Sequence, residues 1–200
     1  MQPAMGSLLI ILKPLSFLNM HLLRVGRGIG VVAVGLMVVA ILIQVVFRYV
    51  FNNALPWPDE AARFCMLWMA GLMAPTAFRR GGFVAIDMLG QALPVAAGKI
   101  LTLFLLLISL AVLVIAVQIG YGEVTGFGGK FATASLYVPG NFALTEWIRV
   151  PRSWMMMSMF VGVILLTLVN IELILRNLIS IIGGSESLPD IPDADMAGAD

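Results

Sequence analysis

Residues 100–122, ILTLFLLLISLAVLVIAVQIGYG, run for 23 positions without an Asp, Glu, Lys or Arg. A helix rises about 1.5 Å per residue, so this stretch covers ~34 Å, enough to cross the ~30 Å hydrocarbon layer of a bilayer. No soluble fold of this chain could hide it. Of the 200 residues, 60% are hydrophobic and 12% charged, and the mean hydropathy is +1.01. The expected fold class is therefore an all-α integral membrane protein.

Four stretches have spanning length, at about 28–50, 58–79, 97–122 and 153–178. Gly28–Phe47 is uncharged, and the second stretch carries charge only in its first two turns. The fourth begins at Ser153 and continues past Glu172 and Arg176. Residues 1–184 read as one membrane domain. The tail 185–200 (SESLPDIPDADMAGAD) is acidic and poor in large apolar groups, the composition of a disordered segment.

Ahead of the first span, Ile11, Leu15, Leu18, Leu22, Val25 and Ile29 recur at alternating steps of four and three, which places them on one helical stripe. Lys13, Ser16, Arg24 and Arg27 fall on the other side. This division predicts an amphipathic helix over 14–26 lying in the membrane interface, with Gly26, Gly28 and Gly30 bending the chain into the first span. A plain extension of that span is the alternative. The apolar run Leu8–Leu12 is short, has no basic residue ahead of it and is followed by Lys13 and Pro14, so the N-terminus is expected to be retained rather than cleaved.

Lys13, Arg24, Arg27, Arg79, Arg80, Lys99 and Arg176, seven in all, fall on one side of this layout. Arg48, Arg63, Lys130, Arg149 and Arg152, five in all, fall on the other. The excess marks the cytoplasmic side, so both termini are expected inside. A net charge of +1 gives no sign of nucleic-acid binding. One cysteine (Cys65) and one histidine (His21) cannot form a disulfide, a zinc site or a bis-histidine haem, so no cofactor is expected.

The junction of the first two spans, VVFRYVFNNALPWPDEAARFCMLW (residues 45–68), concentrates charge beside hydrocarbon. Pro58 suits a helix start, and Asp59 and Glu60 suit the positive end of the helix dipole. Arg63 lies four and three residues later, within reach of both. Trp57 and Trp68 add amphipathic rings, and Arg48 can snorkel to the same level. An ordinary capped helix with interfacial anchors explains most of this. It explains Arg63 less well, because the uncharged run from Phe64 to Phe78 covers only ~22 Å. A partner surface made of Arg48, Trp57, Asp59, Glu60, Arg63 and Trp68 is the competing reading. Inside the spans, Gln44 and Gln118 are expected to bond between helices, and the Ser and Thr hydroxyls to their own backbone.

The string Gln44-Val45-Val46-Phe47-Arg48-Tyr49-Val50-Phe51-Asn52, with Leu55-Pro56-Trp57-Pro58-Asp59-Glu60 and Arg63, resembles the small membrane subunit of tripartite ATP-independent periplasmic (TRAP) transporters, the DctQ-like or Q component. The likeness continues through Trp68, Gly71, Arg79-Arg80-Gly81-Gly82, Asp87, Leu93-Pro94 and Ile148–Trp154 (IRVPRSW). It covers roughly residues 20–178. Phe83 departs from it, since family members often carry histidine there. The resemblance implies a non-enzymatic auxiliary subunit of the bacterial inner membrane. Such a subunit braces a large multi-span membrane partner that carries the substrate and sodium sites, and a periplasmic binding protein delivers an organic acid. Two other classes compete: the membrane anchor or subunit of a redox enzyme, and a small homo-oligomeric channel. The first would need metal, haem or nucleophile–base groups within the spans, and the second a continuous polar stripe.

Overall fold

The structure is a computed structural model, and it describes residues 2–80, 94–139 and 147–184. The acidic tail 185–200 and the segment 81–93, with Phe83 and Asp87, lie outside the described residues. Four long helices dominate: α1 (Gln2–Tyr49), α2 (Trp57–Arg79), α3 (Val95–Thr125) and α4 (Ser153–Ile181). Each is long and apolar enough to cross a membrane, in keeping with the all-α fold class. They pack in the order α1, α2, α4, α3.

The loop from α3 to α4 holds structure that helical periodicity does not reveal. A short 3-10 turn, Phe127–Lys130, leads into an antiparallel hairpin of β1 (Ala132–Pro139) and β2 (Trp147–Pro151). Ala132 pairs with Pro151 and Tyr137 with Arg149, so the register shifts between them.

α1 corrects the expected bend. One helix of 48 residues runs through Pro14 and through Gly26, Gly28 and Gly30, with no separate segment at 14–26. At ~1.5 Å per residue it is ~72 Å long, more than twice what a perpendicular crossing needs. Its buried positions are Leu12, Ser16, Asn19, Leu23, Gly26, Gly30, Ala33, Ala40 and Gln44, in three- and four-residue steps but for one step of seven. That stripe sits one position past the apolar stripe seen in the sequence. Ile11, Leu18, Leu22, Val25 and Ile29 face outward, and Ser16, assigned to the polar side, is buried.

The bilayer explains this arrangement. Lipid tails are as apolar as leucine, so burial of Leu or Val between helices gains little, and small or hydrogen-bonding residues mediate close packing. Gly26 and Gly30 serve contact here. A Cβ on Gly30 would lie 2.8 Å from Met73 Cγ, and one on Gly26 would lie 3.4 Å from the Leu72 carbonyl oxygen. The α2–α4 crossing is tighter still. Gly71 faces Ser158, and a Cβ on Gly162 would lie 2.6 Å from the Gly71 carbonyl oxygen.

Candidate functional site

Two polar assemblies occupy opposite ends of α2. At its start, Glu60 reaches the hairpin and makes no ion pair with Arg63. Its Oε1 accepts the Ala134 N–H at 3.0 Å, and its Oε2 accepts the Ser135 N–H at 2.6 Å. The Ser135 hydroxyl lies 2.6 Å from Oε2 and 2.9 Å from the Pro56 carbonyl oxygen, with one proton to serve either. Charged hydrogen bonds to backbone N–H groups are among the stronger ones a carboxylate makes. They outcompete the local spacing that would bring Glu60 to Arg63.

The remaining junction residues point elsewhere. Arg48, Asp59 and Arg63 are exposed, as is Trp57 in part, and among the described residues none of the three charged groups is in an ion pair. Trp68 lies deeper, half-buried, its ring 6.3 Å from that of Phe64 and its Nε1–H without a partner among the described residues. The six residues therefore divide: Glu60 fastens the hairpin, Trp68 packs below, and the other four form an outer charged and aromatic rim.

At the far end of α2 lies a cluster that the sequence reading missed. Glu172 of α4 is fully buried. Its Oε1 accepts Arg79 Nη2 at 2.7 Å and Arg176 Nε at 2.9 Å, while its Oε2 accepts Arg79 Nε at 3.0 Å and Asn19 Nδ2 at 2.8 Å. Arg79 thus grips the carboxylate with a two-pronged fork. Ser16 Oγ takes Arg79 Nη2 at 3.0 Å and Arg176 Nη2 at 3.1 Å. Three helices converge on one carboxylate. With four donors already on its two oxygens, Glu172 has little capacity left for a proton or a cation, so the cluster acts as a clasp. Close by, Lys99 Nζ of α3 donates to the Ser180 carbonyl at 2.7 Å, a cation at the negative end of α4.

A partial signal for the clasp was present. Glu172 and Arg176 are spaced i,i+4 in a helix, and an ionisable residue in an apolar run implies a partner. Arg79 and Arg176 read instead as loop charges because each stands near the end of its apolar run.

The profile of the family described as "Tripartite ATP-independent periplasmic transporters, DctQ component" matches residues 37–179, well over half of the chain. The chain belongs to this family. No curated protein matches it significantly in sequence. As a DctQ component it is a multi-pass inner-membrane protein and the small membrane subunit of a TRAP transporter, a transport component rather than a member of an enzyme family. The matched region holds the whole junction of α1 and α2 together with Arg79, Glu172 and Arg176. It begins after Ser16 and Asn19, so the α1 half of the clasp lies outside the match.

Other polar groups in the spans of this DctQ component behave locally. Thr102 and Thr167 donate to the backbone carbonyls of Gly98 and Val163. Gln118 is exposed among the described residues, against the expectation that it bonds between helices. Gln44 is buried, yet its Oε1 has no partner among the described residues. Among the described residues no group of three His, Cys, Asp or Glu is placed to hold a metal ion.

The Glu60 contact makes a local prediction. Glu60→Ala should expose the Ala134 and Ser135 amides, which would then exchange with deuterium faster than in the wild type, while α2 and α4 amides stay protected. Unchanged protection at 134 and 135 would show that the carboxylate does not hold the strand.

Proposed function

We propose that this chain is the static brace of its transporter: it holds the large membrane subunit through its outer rim and exposed helix faces, and contributes no substrate route of its own. The observation that carries this reading is the internal pairing of the buried charges. Arg79, Glu172 and Arg176 are spent on joining α1, α2 and α4, while Arg48, Asp59 and Arg63 are left exposed near the opposite end of α2. Arg63 follows only one turn of polar helix and precedes a short apolar run, so contact with protein suits it better than contact with lipid. On this reading the large subunit carries sodium-coupled uptake of an organic acid, and a periplasmic binding protein delivers it.

The termini face the cytoplasm on this reading, as the seven-to-five distribution of Lys and Arg supports. The N-terminal part of α1 extends past the end of α2, where Ser16 meets Arg79, and its exposed Lys13 suits the inner headgroup layer.

Charge reversal tests the rim. Arg63→Glu and Arg48→Glu should reduce co-purification with the large subunit in mild detergent, the pair more than either alone, while the isolated chain keeps its helix content. In the same complex, a cysteine replacing Gly128, where a Cβ meets nothing within 4 Å, should label from the periplasmic side. Co-purification at wild-type levels by the double variant would remove the rim from the interface, and labelling from the cytoplasm would invert the orientation.

A further inference from the structure

The hairpin between α3 and α4 carries a surface that the brace does not use. Its root is fixed at the outer ends of three helices. Glu60, in the first turn of α2, binds Ala134 and Ser135. The Arg152 N–H at the start of α4 donates to the Phe131 carbonyl at 2.8 Å. Gly129 is wedged against the end of α3, where a Cβ would lie 2.8 Å from the Val124 carbonyl oxygen and 3.2 Å from Ser153 Cβ. The root therefore sits at the height where membrane-spanning helices end, which is the headgroup level.

The side chains at that height are not those of a loop projecting into water. Phe127 is 78% exposed, Trp147 59%, Ile148 58% and Phe131 54%. Exposed cations, Lys130, Arg149 and Arg152, are interleaved with them. The strands also have two distinct sides, because alternate residues point to opposite faces. Val138 and Ile148 are paired across the ladder, and Ile148 shares its face with Val150, which is buried at the root. The opposite face carries Tyr137 and Arg149, paired with each other: Arg149 Nε donates to the Tyr137 hydroxyl at 2.8 Å, and its guanidinium carbon lies 5.3 Å from the ring centroid. One face is thus aliphatic and continuous with the root, while the other pairs Tyr137 with Arg149 and carries Trp147 opposite Pro139 at the strand end.

We infer that this hairpin folds back onto the outer leaflet, resting Val138 and Ile148 on the boundary between headgroups and acyl chains, with Phe127 and Phe131 beside them and Lys130 and Arg152 on lipid phosphates. The occupant of the face is lipid. Three features point to it: the fixed height, the continuity with the spans, and the pairing of aromatic rings with cations, which matches an interface that is apolar below and anionic above. The hairpin then lies flat around the helix ends and leaves the rim of Arg48, Asp59 and Arg63 clear for the other subunits.

Site-directed spin labelling tests this. With Cys65 replaced by Ser, single cysteines are placed at 138, 148 and 149 in the full chain, reconstituted into phosphatidylethanolamine–phosphatidylglycerol vesicles. Labels at 138 and 148 should be relaxed more by oxygen than by a water-soluble nickel complex, and the label at 149 the reverse. Unlabelled protein gives a second reading. With Trp57, Trp68, Trp147 and Trp154 replaced by Phe and Ile148 by Trp, the fluorescence of position 148 should be quenched most by lipids brominated nearest the headgroup. The spin-label pattern should persist when the large subunit is present. Water-like accessibility at 138 and 148 would overturn the inference. So would loss of lipid contact on assembly, which would make the face a protein interface instead.

Discussion

Glu172→Ala should be the most damaging single change in the chain, lowering stability by roughly 3–5 kcal/mol, because it strands two buried guanidinium groups without their shared anion. Arg79 and Arg176 would both still reach Ser16 Oγ, which carries no charge to balance theirs. Against a total of about 5–15 kcal/mol for a typical domain, the loss is large. Glu172→Gln should fare little better, since it removes the charge and turns an N–H toward Arg79 or Arg176. The informative control replaces all three charged residues, Arg79, Glu172 and Arg176, with methionine. A buried ionic cluster exchanged for apolar groups of similar volume is often close to neutral, so the triple variant should be more stable than Glu172→Ala. Thermal unfolding in detergent or in lipid nanodiscs measures this series. If Glu172→Ala melts within a degree or two of the wild type, the three charges are solvated and the clasp does not hold the helices.

Gly71→Val is the second large effect. A Cβ at 71 would fall on the Ser158 carbonyl group, and one at Gly162 on the carbonyl group of Gly71. The obstructing atoms are backbone, so no rotamer change relieves the overlap and α2 must part from α4. Overpacking typically costs about 1–3 kcal/mol, and a backbone obstruction belongs at the upper end or above. Separation of α2 and α4 would also stretch the Arg79–Glu172 fork, so the two sites are coupled and their losses should not add. Gly35→Ala is the matched control on α1. A Cβ there meets nothing within 4 Å, and alanine in a helix interior is favoured over glycine by about 0.5–1 kcal/mol. The same unfolding measurement should therefore rank Gly35→Ala at or above wild type and Gly71→Val far below. Equal stability of the two variants would mean that the α2–α4 crossing is looser than described.

The membrane-length helices were legible because each rests on a local property, an uncharged apolar run. The clasp was not, because its members come from segments far apart: Ser16 and Asn19 on α1, Arg79 at the end of α2, Glu172 and Arg176 on α4. Only the pair 172–176 has a local spacing that hints at contact. The packed stripe of α1 was missed for a different reason. The apolar positions Ile11, Leu18 and Leu22 stand out in the sequence, whereas between membrane helices the small and polar positions Ser16, Asn19, Gly26 and Gly30 make the contact. At the junction, the i,i+3 spacing of Glu60 and Arg63 was a true local possibility. It was overridden by two backbone N–H groups of a strand some 75 residues away in the sequence.

The central claim, that the chain braces a partner and conducts nothing itself, is tested most directly by uptake of an organic acid into sodium-energised proteoliposomes. Vesicles holding this chain alone should accumulate none, even with the cognate binding protein outside. Vesicles holding it together with the large subunit should accumulate the acid, and omitting this chain should abolish or sharply reduce that uptake. Accumulation by this chain alone, or full uptake by the large subunit without it, would contradict the account.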